Sequence, residues 1–201
     1  TSTGEGYDST GDYYSNLVQA KITAATGTPI GNLTHAAFGG NAGSFDDNIE
    51  VSTAVTSQIG VKDNITDAYI GKDWGSGNTK TITGFKVHAP TNVALRNTGG
   101  TLTVKLAGST DNFSSSNVEL YSTGSFTSAT DETIEALTGI TTTTAYRYHR
   151  IHVNGSYGDY YIAEAELYET TSPGNMVLVS NATEAVAEPT KGRVVAFVEP
   201  M

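Results

Sequence analysis

Residues 146–169 read YRYHRIHVNGSYGDYYIAEAELYE, and how this stretch is read decides the fold. Side chains alternate along a strand, so Tyr148, Arg150 and His152 share one face while His149, Ile151 and Val153 share the other. Further on, Ala163, Ala165 and Leu167 make a small apolar face, and Ile162, Glu164, Glu166 and Tyr168 point the opposite way. Residues 154–160 between them are rich in Gly and Tyr and carry several turn formers. The stretch therefore predicts two strands joined by a loop, with the tyrosine-bearing loop and the Glu164/Glu166 pair as candidate functional features.

Other segments fit the same class. In 101–107, Leu102, Val104 and Leu106 alternate with Thr101, Thr103 and Lys105, as in a strand with one buried face. In 79–87, Ile82, Phe85 and Val87 cannot share one face in strict alternation, and the parity breaks at Gly84, which predicts a β-bulge there. Residues 118–121 form a shorter strand. The segment 131–139, DETIEALTG, fits either one or two helical turns or an edge strand around Ile134. Leu17, Val18 and Ile22 start a first strand, and 26–48 reads as loop with an acidic cluster at Asp46 and Asp47. This gives a lead-in over 1–24, flexible or packed on, and a β-sandwich over 25–170. The remainder, 171–201, is a C-terminal β-hairpin or the start of a truncated second β module, entered through the linker TTSPG after Glu169.

Composition narrows the function. A net charge of −10 argues against nucleic acid or an anionic membrane held through a basic surface, and no apolar run is long enough to span a bilayer. With no cysteine there is no disulfide, thiolate nucleophile or zinc–thiolate site. The chain starts Thr1-Ser2-Thr3, with neither an initiator Met nor a signal segment, which suggests a fragment or processed product.

Three blocks in order resemble the discoidin, or coagulation-factor C-type, domain. They are 44–48, SFDDN; 69–75, YIGKDWG, running into 80–87, KTITGFKV; and 148–151, YHRI, followed by 162–168, IAEAELY. The resemblance implies an all-β jelly-roll sandwich, galactose-binding-domain-like, with a C-terminal β extension. Departures are Tyr69 for Trp, Trp74 for Leu, Asp47 for Gly, and the missing cysteines. The tail over 174–200 is similar to segments that follow such domains in tailed-phage fibre or spike proteins. That implies a virion protein, with other virion proteins as partners and a possible homo-oligomer; an extracellular, secreted setting is the alternative.

The family resemblance also implies a structural Ca²⁺, held by Ser44, Asp46, Asp47, Asn48 and Thr53 from the acidic loop, and by Ala163 and Glu164 from the last strand. Ca²⁺ favours several hard oxygens at flexible angles, though two Asp in a polar loop also simply cap turns. Glu164 and Glu166, with Cα atoms ~6.5–7 Å apart on a strand, overlap the spacing of an inverting glycosidase pair. Hydrolysis also needs a cleft and a carboxyl with a raised pKa, and the sequence points to neither, so no enzyme is expected. The four histidines show no helical metal spacing, and His149 and His152 face opposite ways. Trp74 is expected in the core. Sugars need apolar faces and fixed polar groups. The candidates are Tyr157, Tyr160 and Tyr161, with His88, Asn92, Arg96 and Asn97. The expected function is non-catalytic recognition of a cell-surface polysaccharide or glycan. Its rivals are a purely structural virion sandwich and the carbohydrate-binding module of a secreted enzyme or adhesin.

Overall fold

Two antiparallel sheets face each other in the computed structural model, which describes residues 3–8, 13–49, 51–54 and 56–171. One sheet has the order β1 (Thr3–Asp8), β2 (Tyr13–Lys21), β11 (Glu164–Thr171), β5 (Ile82–His88), β9 (Thr133–Ala136). The other runs β3 (Thr28–Gly31), β4 (Gly60–Asp73), β10 (Tyr148–Ile162), β6 (Gly100–Ser109), β7 (Val118–Ser122), with β8 (Phe126–Ser128) also paired to β6. This is the expected all-β sandwich. The hairpin or second module expected after residue 171 lies outside the described residues.

The core follows from alternation. Ala68 and Ile70 of β4, Leu102, Val104 and Leu106 of β6, and Ile151 and Val153 of β10 point inward. They meet Ile82, Phe85 and Val87 of β5 and Ala165 and Leu167 of β11. Where Tyr168 pairs with Gly84 and Glu169 with Ile82, Thr83 is skipped, so the bulge lies where the parity break placed it. Trp74 is in the core, and its Nε1–H donates to His149 Nδ1 at 2.9 Å. His149 faces inward beside Ile151 and is fully buried.

The reading of 146–169 is corrected. Residues 154–160 are not a loop between two neighbouring strands; they continue β10, which stays paired with β4 through register shifts around Gly158. Two glycines, Gly155 and Gly158, let the strand bulge without leaving the sheet. The chain changes direction only at Ala163, and β11 then enters the other sheet. The run 26–48 is not all loop either. It contains β3, an edge strand that tolerates Pro29, and one helical turn, α1 (Gly40–Gly43). The ambiguous 131–139 resolves as the edge strand β9, and the lead-in supplies both β1 and β2.

Candidate functional site

β11 begins where the acidic loop arrives. Ala165 N–H donates to the Ser44 carbonyl at 2.8 Å, the Ser44 hydroxyl donates to the Ile162 carbonyl at 2.7 Å, and Asp46 N–H donates to Glu164 Oε2 at 3.1 Å. Because β2 pairs with β11 only from Tyr168 onward, Ser44 covers the open edge before it. Ser44, Asp46, Ala163 and Glu164 are thus brought together. Asp47, at φ 64, turns to an ion pair with Lys21 at 2.7 Å, and Lys21 also reaches Glu166 at 3.1 Å. Asn48 N–H caps Asp46 Oδ1 at 3.0 Å while its amide donates to Gln58, and Thr53 is half-buried in the following turn.

Glu164 is 1% exposed. Burial pushes its carboxyl up to about 8; the Asp46 N–H pulls it back, and the Asp46 and Asp47 carboxylates push it up again. A cavity of about 10 Å³ separates it from Lys72, an inward-facing lysine that the sequence reading missed. Burial pushes that ammonium down to about 8 while Glu164 pulls it up. Lys72 Nζ donates to the Ala24 carbonyl at 2.6 Å and sits 4.2 Å from the Phe45 ring centroid. A space this size holds about one water, not a sugar. Glu166 is tied to Lys21 and to the Tyr168 hydroxyl. The glutamate pair therefore has a raised carboxyl but no cleft to receive a glycosidic bond. Among the described residues, no three His, Asp or Glu side chains converge to hold an ion by themselves.

Residues 89–99, between β5 and β6, run beside the second half of β10. Arg96 bridges to Tyr160, Asn97 N–H donates to the Asp159 carbonyl at 3.0 Å, and Tyr161 N–H donates to the Leu95 carbonyl at 2.9 Å. This brings Arg96, Asn97, Tyr157 and Tyr160 together. The Arg96 guanidinium is buried, its donors taken by the carbonyls of Ser156 (2.9 Å), Tyr157 (2.6 Å) and Gly99. Tyr160 is fully buried and donates to the Ser156 carbonyl, and Tyr161 packs edge-on against Phe38. Tyr157, 64% exposed, is the tyrosine of the three that faces solvent.

His88 and Asn92 belong to another neighbourhood. His88 ends β5; its Nδ1 lies 2.9 Å from Thr133 Oγ1, and its buried Nε2 has no hydrogen-bond partner. Burial pushes its pKa down. Asn92, at φ 62, donates its N–H to Asp131 Oδ1 at 2.6 Å. Together Ile49, His88, Ala89, Thr91, Asp131 and Thr133 line a groove of about 560 Å³, within the range of small-ligand sites. It offers an imidazole, a carboxylate, two hydroxyls and an apolar wall. The sequence reading missed Asp131, Thr133 and Ile49. The β5–β9 pairing that sets Thr133 opposite His88 was the available signal, and it needed 131–139 to be read as strand.

No protein-family model matches this chain, and no curated protein does. Solved structures do match its fold. A serum F-lectin (fucolectin) of the striped bass Morone saxatilis superposes with a TM-score of 0.55 at 14% identity, over 74% of this chain and 48% of that one. This chain thus spans about half the length of the fucolectin. A fucose-binding module of Streptococcus pneumoniae gives 0.51 at 12% identity, over 74% and 96% of the two chains. The lectin binding domain of lectinolysin, complexed with Lewis b, gives 0.50 at 15%, over 75% and 97%. At these identities the likeness is one of fold, the galactose-binding-like sandwich.

Proposed function

We propose that this domain is a non-catalytic carbohydrate-recognition module whose sugar site is the His88 groove. The observation behind this reading is the groove's chemistry: the Asp131 carboxylate and the Thr91 and Thr133 hydroxyls around the His88 ring, with Ile49 as an apolar wall. Sugar hydroxyls need donors and acceptors fixed in place, and sugar C–H groups need an apolar surface. The Asp131 carboxylate accepts from vicinal hydroxyls, His88 and the threonine hydroxyls complete the polar set, and Ile49 takes the C–H face. The names of the fucolectin and the fucose-binding module, which share the fold, lend support to a sugar as the ligand class. The likeness of residues 174–200 to phage fibre segments supports a wider setting. There the domain would sit on an oligomeric virion fibre and bind host-surface glycans beside other virion proteins. A glycan array probed with wild type, H88A and D131N tests the site. Wild type is expected to retain a defined set of glycans, and each variant to lose that set. A wild-type protein that retains none ends the recognition reading in favour of a structural sandwich.

The acidic loop carries a second, structural proposal. Asp46 and Glu164, with the Ser44 and Ala163 carbonyls, would supply a hard-oxygen set, and the buried, crowded Glu164 carboxyl is a group whose charged form Ca²⁺ would stabilise. Asp47 is engaged by Lys21 and stands outside this set. Bound there, the ion would tie the loop to the start of β11.

A further inference from the structure

The outer face of the six-stranded sheet carries a second polar groove that the sugar site above does not use. Its volume is about 560 Å³, and Asp67, Thr103, Lys105, Glu119, His152 and Asn154 are among its lining residues. These come from β4, β6, β7 and β10, four adjacent strands, so the groove crosses three inter-strand spacings, roughly 14 Å.

One wall is held rigid by a stacked cluster. The Arg150 guanidinium lies between two aromatic rings, 4.5 Å from the Tyr69 centroid and 4.2 Å from that of Phe113, and donates to Asn112 Oδ1 at 2.9 Å. The His152 ring lies 5.3 Å from Tyr69 and 6.4 Å from Phe113, with Nδ1 at 3.1 and 3.2 Å from the two Asp67 oxygens. Phe113 and Asn112 both adopt left-handed backbone, φ 63 and 58. For a bulky aromatic residue that conformation is costly and persists only where its surroundings impose it. The Asp111 carboxylate supplies the constraint, accepting from the N–H groups of Ser114, Ser115 and Ser116. The fold therefore holds a strained residue in place to cap this cluster. Two of the cluster's nitrogens, Arg150 Nε and His152 Nε2, are buried without a hydrogen-bond partner, a cost that native proteins rarely leave standing.

The charged groups on this face already have partners. Asp67 faces His152, Lys105 pairs with Glu119 at 2.8 Å, and Arg150 is shielded by its two rings. With no unpaired cation among its lining residues to draw an anionic ligand, and amide and hydroxyl groups spread along the groove, the matching ligand is neutral and polyhydroxylated. We infer that this sheet-face groove is a second glycan-binding site that takes an internal segment of a neutral oligosaccharide chain. The inference builds on the recognition reading and adds a second, chain-length-sensitive contact to it.

The test is an array of neutral glycans graded from monosaccharides to hexasaccharides, probed with wild type, H88A, H152A and N154W. N154W fills the groove without removing a member of the stacked cluster, so it keeps the test decisive if H152A does not fold. The expected result is that N154W and H152A bind the longer glycans roughly tenfold more weakly, the loss one or two ligand hydrogen bonds would carry, and bind monosaccharides unchanged. H88A is expected to lose short and long glycans alike. If N154W matches wild type at every length, the second site is overturned while the His88 site stands. A wild-type protein that binds nothing overturns both.

Discussion

An imidazole buried between the Trp74 and Tyr146 rings keeps one hydrogen bond at His149, where Trp74 donates to its Nδ1. Burial pushes His149 down to about 3 from an ordinary 6.5. The unfolded chain therefore takes up a proton near pH 6.5 that the folded chain refuses until far lower pH. Stability present above pH 6.5 is lost as pH falls toward 3, at about 1.4 kcal/mol per pH unit at most. Denaturant melts from neutral to mildly acidic pH should follow that slope, and H149Q, which keeps an acceptor for Trp74 but cannot titrate, should flatten it. Equal slopes for the two proteins would remove His149 from the account. The inward face of His149 was legible in the sequence, since it alternates with Ile151 and Val153. Lys72 was not, although it shares its parity with Ile70, because a lysine on a strand is ordinarily solvated.

Strand contacts explain which elements were legible. The bulge before Gly84 was, because three large apolar residues on one short strand force a parity break. β10 was not, because the glycines and tyrosines that suit a turn also suit a bulged strand, and only pairing with β4 separates the two. Gly71 marks how closely those strands approach: a Cβ there would run into the His149 carbonyl on β10. G71A is expected to destabilise the domain by about 3 kcal/mol, at the upper end of typical overpacking, because the obstacle is backbone and cannot turn aside. A melting temperature within a degree or so of wild type would show that the β4–β10 spacing is more yielding than the buried strand pair implies.

For the molecule as a whole, the acidic loop links parts of the chain 118 residues apart. If Ca²⁺ sits at Asp46 and Glu164, chelation lowers the melting temperature and added Ca²⁺ restores it, whereas E164Q does not respond. A wild-type melting curve unmoved by chelator and by Ca²⁺ would retire the ion. The sandwich and its order of blocks were legible because alternation and turn residues are local signals. The grooves were less so, because each is assembled from strands that meet only through pairing.

That pairing also sets when the domain can assemble. β4 and β6 do not pair with each other; β10 lies between them, just as β11 lies between β2 and β5. Both central strands come from the last part of the described chain, residues 148–171. Until that segment leaves the ribosome, the earlier strands have no partner on the side it will occupy, and each sheet stays split. Synthesis of this domain therefore passes through a long interval of open strand edges, the form most prone to pairing with other chains. Closure then occurs late and involves both sheets at once, with the slow folding expected where pairing is non-local.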